Sequence, residues 1–194
     1  MHVPSDVEIV QLGGLDARTA TDIATMHVAG LPDSINSLRG SGVVGWLYQQ
    51  LARNGHRILV AKQGERIVGA LALVDSELPI SLMTLVWREP LQWLRLVSTK
   101  PLQLWRLIMD ARAVERPRKR TDSHLYIASL VVAGSHQRLG IARNMVNKAT
   151  AIGELEHRRV FVDTRQENVA ARHLYEGAGF VQIAETRLSV VFRW

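Results

Sequence analysis

Residues Val131-Val132-Ala133-Gly134-Ser135-His136-Gln137-Arg138-Leu139-Gly140-Ile141-Ala142 run from an apolar stretch through a turn of small residues into a helical pattern. Such a junction aims several backbone N–H groups at one spot, and the helix N-terminus adds its partial positive charge. The chemistry it offers is the binding of a phosphate or pyrophosphate. Gly140 and Ala142 let a ligand come close to the backbone. The turn matches neither common phosphate loop, having no Gly-Lys-Ser/Thr and no Gly-x-Gly-x-x-Gly. The chain has no cysteine, which excludes disulfides, Cys-ligated zinc and a Cys nucleophile. It also lacks Gly-x-Ser-x-Gly and His-Glu-x-x-His. His124 and His136 have no metal-ligand spacing, and His136 reads as a solvated turn residue. His27 falls on the apolar face of the first helical pattern, where it is either a satisfied core histidine or a group placed near a cleft.

The elements that must hold these groups follow from periodicity. Glu8 to Leu12 reads as a first strand before Gly13-Gly14. Asp16 caps a helix with Ala20, Ile23, Ala24 and His27 on one face, and Leu31 to Ser34 ends it. Trp46, Leu47, Gln50 and Leu51 predict a second short helix closed by Asn54-Gly55. Arg57 to Ala61 and Ile67 to Val74 form a predicted antiparallel hairpin. Leu125 to Val132 is almost continuously apolar, as a central strand would be. Ile141, Met145, Ala149 and Ile152 mark a helix, Arg159 to Asp163 a strand, and Asn168 to Glu176 another helix. Phe180 to Ala184 and Leu188 to Phe192 close the chain as two strands. The order is that of one α/β domain, residues 1–194.

One segment stands apart. Between Pro79 and Arg120 lie nine basic and three acidic residues and three of the five tryptophans, while the other 152 residues carry 15 of each charge. The net charge of +6 is therefore local. Leu82, Leu85, Val86, Trp93, Leu96 and Val97, then Leu102, Trp105, Ile108 and Met109, recur at helical spacing and predict two amphipathic helices. Covering the sheet, packing on a second subunit as a homodimer, or contacting an anionic membrane surface through residues 81–116 are the roles this pattern suits. Interleaving of its basic residues with large aliphatics argues against nucleic acid. The first residues show no basic region followed by an apolar run, and nowhere do 18 apolar residues follow one another, so the expectation is a cytoplasmic protein.

Gln137 to Ala142 resembles the Gln/Arg-x-x-Gly-x-Gly/Ala signature of the GNAT superfamily of acetyl-CoA-dependent N-acetyltransferases, standing after an apolar strand as that signature does. Asn168-Val169-Ala170-Ala171-Arg172-His173-Leu174-Tyr175-Glu176-Gly177-Ala178-Gly179-Phe180 is similar to a second block of the same family, in the same order. The resemblance implies the GNAT fold: a mixed, mostly antiparallel sheet of about seven strands flanked by helices, here with a helical insertion between strands 3 and 4. It implies direct transfer of an acetyl group from acetyl-CoA to a primary amine of a small molecule or peptide, without a metal. Backbone amides of Arg138, Leu139, Gly140, Ile141, Ala142 and Arg143, in a turn that begins at Gln137, would hold the CoA pyrophosphate. Leu130 and Val132 would pair with the pantetheine arm, and Asn168 would steady the cofactor. Tyr175 would sit by the sulfur and protonate the departing thiolate.

Two departures from the family pattern matter. Arg138 stands where a glycine is common, and its guanidinium can add a phosphate contact. Where many members carry a Glu on the central strand, this chain has Ser129, which leaves water, His27, His124 or Asp163 to take the amine proton. The rival reading is a non-catalytic acyl-CoA sensor on the same fold.

Overall fold

Asp16 starts the first helix because its carboxylate accepts the Thr19 backbone N–H at 2.8 Å, and α1 (Ala17–Gly30) buries Ala20, Ile23, Ala24 and His27, the face expected from the sequence. The computed structural model describes Pro4, residues 6–32, Ser34, Ser37, residues 40–75, Ser98 and residues 123–194. The segment 79–120, with its expected helices and its homodimer or membrane roles, lies outside the described residues apart from Ser98.

The second helix, α2 (Ser41–Arg53), starts earlier than its predicted apolar residues and buries Val43, Val44, Tyr48 and Leu51, whereas Trp46, Leu47 and Gln50 are half-exposed. Its first turn, Ser41-Gly42-Val43-Val44-Gly45, is a run of weak helix formers. Packing overrides that propensity: a Cβ on Gly45 would lie 3.4 Å from the Ala20 carbonyl oxygen, so the two helices approach closely there.

The strands are β1 (Val7–Gln11), β2 (Arg57–Gln63), β3 (Arg66–Asp75), β4 (His124–Val132), β5 (Arg159–Arg165), β6 (Val181–Glu185) and β7 (Ser189–Arg193), in the sheet order β1-β2-β3-β4-β5-β7-β6. Every neighbouring pair is antiparallel except β4 and β5. That parallel pair requires a crossover, which α3 (Ile141–Leu155) supplies. The last helix is α4 (Val169–Gly177).

The sheet has a core on each face. Leu59, Leu71, Leu125, Ile127, Met145, Val160, Tyr175 and Phe192 belong to one, under α3 and α4. Ile23, Tyr48, Ile58, Val60, Ala72 and Val131 belong to the other, under α1 and α2.

Candidate active site

The parallel ladder between β4 and β5 runs from His124 opposite Arg159 to Ile127 opposite Val162, and there it stops. β4 continues to Val132, paired with β3 on its other side only. Backbone groups of residues 128–132 are thus left without a strand partner on that side, the Val132 carbonyl accepting from the Gln137 side-chain amide at 3.4 Å, and they offer a template for an extended polar chain. The closed end is held by charge. The Arg158 guanidinium pairs with Asp75, donates to the His124 carbonyl at 2.7 Å and reaches Glu156 at 3.2 Å, while Arg57 pairs with the same Glu156.

A bulge lies where the strands part. Ala72 faces Ser129 but Leu73 faces Ile127, so Ala128 is the extra residue. One inserted residue reverses every later side chain. Leu125 and Ile127 pack under α3 and α4, and after the bulge Leu130 and Val132 do so. Ser129, which strict alternation would turn to that same face, instead meets Tyr48 of α2 on the opposite face.

Beyond Val132 the chain makes a single 3-10 turn, Gly134–His136, and enters α3 through Gly140 at φ 79°. Gly140 is one position where a glycine is required, since the left-handed region penalises a Cβ. Arg138 also has positive φ, 63°, which explains why glycine is at home there. The helix has no side-chain cap and no acidic residue in its first turn, which carries Arg143 instead. Uncapped N–H groups and a cation at the positive end of a helix repel one another unless an anion joins them, and a pyrophosphate fits that requirement. Arg143 lies against α4 at Gly177, 2.7 Å from where a Cβ would be. Gln137 and Leu139 flank the turn, Leu139 being exposed.

Asn168 caps α4, its side-chain oxygen accepting the Ala171 N–H at 3.1 Å, so the sequence block that names it also has a structural use. Tyr175 is buried beside Phe180 and Phe192. Burial first, and the Asp163 carboxylate second, push its phenol well above the ordinary tyrosine range, so it holds its proton at neutral pH. Asp163 itself accepts a hydrogen bond from Tyr126 across the β4–β5 pair.

His27 is 5% exposed and does not reach the open edge itself. Its Nδ1 lies 3.1 Å from the Tyr48 hydroxyl, which is 2.6 Å from Ser129 Oγ. His124 sits at the closed end, stacked edge-on against Phe161 and roughly 16 Å along the strand from Ser129. His136 bonds Gln63 and Ser135 in the turn. Tyr48 escaped the sequence reading, although Val44, Tyr48 and Leu51 carry the i, i+4, i+7 spacing of a buried face. A surface hollow bordered by Gly153, Arg158, Arg159 and Trp194 is at the far end of α3, about 18 Å from its N-terminus. Among the described residues no group of three or more His, Cys, Asp or Glu is placed to hold a metal ion, and no helix is long and apolar enough to cross a membrane.

The architecture is shared with solved structures. An agmatine N-acetyltransferase mutant in its apo form superposes with a TM-score of 0.65 at 17% identity, covering 98% of this chain and 99% of that one. A protein from Pyrococcus horikoshii gives 0.63 at 14% identity, with 96% of each chain covered. The yncA protein of Salmonella typhimurium, solved with its cofactor acetyl-CoA, gives 0.59 at 12% identity, covering 97% of this chain and 92% of that one. No curated protein matches the chain at the level of sequence. The model of the acetyltransferase (GNAT) family matches residues 36–180, which include the open strand, the uncapped turn and Tyr175. On fold, site and family match together, the chain belongs to the GNAT acetyltransferase family.

Proposed function

We propose that the protein transfers the acetyl group of acetyl-CoA directly to a primary amine of a small molecule or peptide. The observation that carries this reading is the continuity of two binding features: the open edge of residues 128–132 leads straight into the uncapped N-terminus of α3. Backbone amides from Arg138 to Arg143 would hold the pyrophosphate, Arg138 and Arg143 adding charge. Leu130 and Val132 would hydrogen-bond the pantetheine amides as a neighbouring strand does, with Gln137 and Leu139 bordering the turn. Asn168, its carbonyl oxygen used by the cap, keeps its amide N–H groups as donors toward the cofactor.

When bound, acetyl-CoA supplies an activated acyl carbon and a thiol leaving group. The residues of this chain have two proton tasks: the amine must lose one and the sulfur must gain one. Tyr175, protonated at all working pH values, is the donor to sulfur. An alkyl amine has to be neutral to attack, so kcat/KM is expected to rise with pH through the neutral range. A chain without cysteine, drawing on acetyl-CoA, suits a cytoplasmic setting.

Tyr175→Phe tests the reading. It removes one hydroxyl from a core position that otherwise keeps its ring, so acetyl-CoA affinity by isothermal titration should stay within about twofold. Turnover should fall roughly 10²-fold or more. Unchanged turnover removes Tyr175 as the acid. The non-catalytic sensor is favoured instead if wild-type protein binds acetyl-CoA and no amine elicits thiol release.

A further inference from the structure

The amine proton is the one task for which family resemblance supplies no residue here, and the structure offers a path for it. Ser129 Oγ, Tyr48 Oη and His27 Nδ1 form a continuous hydrogen-bonded chain at 2.6 Å and 3.1 Å. It links β4, α2 and α1, elements distant in sequence, and of the three only Ser129, within the open stretch of β4, is part-exposed, Tyr48 being 3% and His27 5% exposed. The bulge at Ala128 is what turns Ser129 into this chain. The far ring nitrogen, His27 Nε2, is buried with no partner.

We propose that Ser129, Tyr48 and His27 are a proton relay that drains the attacking amine. A tyrosine hydroxyl has one hydrogen, so when Tyr48 donates to His27 Nδ1 it must accept from Ser129. Ser129 then points its lone pairs outward, toward an amine at the open edge. As the C–N bond forms and the C–S bond breaks, the amine proton passes to Ser129 Oγ. The serine proton passes to Tyr48, and the tyrosine proton to His27 Nδ1. Sulfur takes its proton from Tyr175 on the other face, and each side exchanges with solvent after product leaves. Ser129 is the catalytic contact, while Tyr48 and His27 are positioning and storage groups acting through it. Burial supports the arrangement, because it lowers the His27 pKa to about 4 and so keeps the imidazole in its proton-accepting form at neutral pH.

This proposal rests on the acetyltransferase reading and fails separately from it. The experiment takes wild-type protein and the best amine found, and compares Tyr48→Phe, Ser129→Ala and the double variant. Retained acetyl-CoA binding and cooperative thermal unfolding establish that each is folded. Each single variant is expected to lose tenfold or more in kcat/KM, and the double to lose no more than the worse single, as members of one chain do. In mixtures of H2O and D2O the wild-type rate should bend with deuterium fraction, as several protons moving together require. Ser129→Ala should give a straight line. Full activity in a folded Tyr48→Phe, or losses that multiply in the double variant, overturns the relay. If Tyr48→Phe does not fold, the half-exposed Ser129→Ala decides alone: full activity refutes the relay, and a straight isotope plot upholds it. Absence of any thiol release by wild type overturns the acetyltransferase reading, and the relay with it.

Discussion

His27 shows how one buried residue ties stability to pH. The imidazole is held neutral by burial, with its pKa lowered from 6.5 to about 4, and the titratable group beside it is Tyr48, itself pushed up to about 12 by burial. A neutral histidine in the folded state with an ordinary one in the unfolded state means that the unfolded chain binds the extra proton. Its contribution is therefore complete above pH 6.5 and is lost as pH falls through 4. Between pH 7 and 4.5 urea unfolding should show the wild type losing about 2 kcal/mol more than His27→Gln. Equal losses would contradict a buried neutral imidazole. The same depression sets the cost of using His27 as a proton store: charging it at pH 7 takes about 4 kcal/mol. That is small against the roughly 16 kcal/mol barrier of an enzyme turning over near 10 s⁻¹, so a transient imidazolium is accessible. The sequence placed His27 on its apolar face correctly, because the α1 stripe is regular. It could not show Tyr48 facing it, since the weak helix formers before Trp46 hid where α2 begins.

Helix α3 carries the uncapped turn at one end and is fixed to the sheet at the other. At Gly153 a Cβ would lie 2.6 Å from Val160 Cγ2 and 2.9 Å from the Arg158 carbonyl oxygen, so the helix sits on β5 with no room for a methyl group. Gly153→Ala is expected to lower stability by about 1–3 kcal/mol in chemical denaturation, through a shift of α3 away from β5. An unchanged midpoint would mean that the helix moves freely there. Most elements were legible in the sequence to within a residue or two at each end, because strands next to the turn at Gly64-Glu65 and helices capped by Asp16 and Asn168 carry strong local signals. The phase change within β4 was not legible. A bulge adds no unusual residue type at Ala128, and the apolar run from Leu125 to Val132 reads as one uniform strand. Its effect on Ser129 emerges only from the pairing with β3.

At the scale of the whole molecule, the sheet works as a clamp closed at one end and open at the other. The ion pairs of Arg57, Asp75, Glu156 and Arg158, with the Arg158 hydrogen bond to the His124 carbonyl, tie β2, the end of β3, the start of β4 and the residues before β5 together. The opposite ends part and expose the edge that leads to α3. Two tyrosines then flank β4, Tyr175 on the α3 and α4 face and Tyr48 on the α1 and α2 face, each buried and each kept protonated. On the proposed reading, proton donation and proton removal fall on opposite faces of the sheet, with acyl transfer at the gap between them. The charge of +6 is not needed by that reading, in which the turn before α3 would bind the cofactor mainly through backbone amides. The most direct measurement is release of free thiol from acetyl-CoA by purified protein against a panel of amino sugars, polyamines, amino acids and peptide N-termini. Mass spectrometry of the acceptor accompanies it. The expected result is release that depends on one class of amine and matches acetylated product mole for mole; tight acetyl-CoA binding with no acceptor-dependent release on any of them would contradict it.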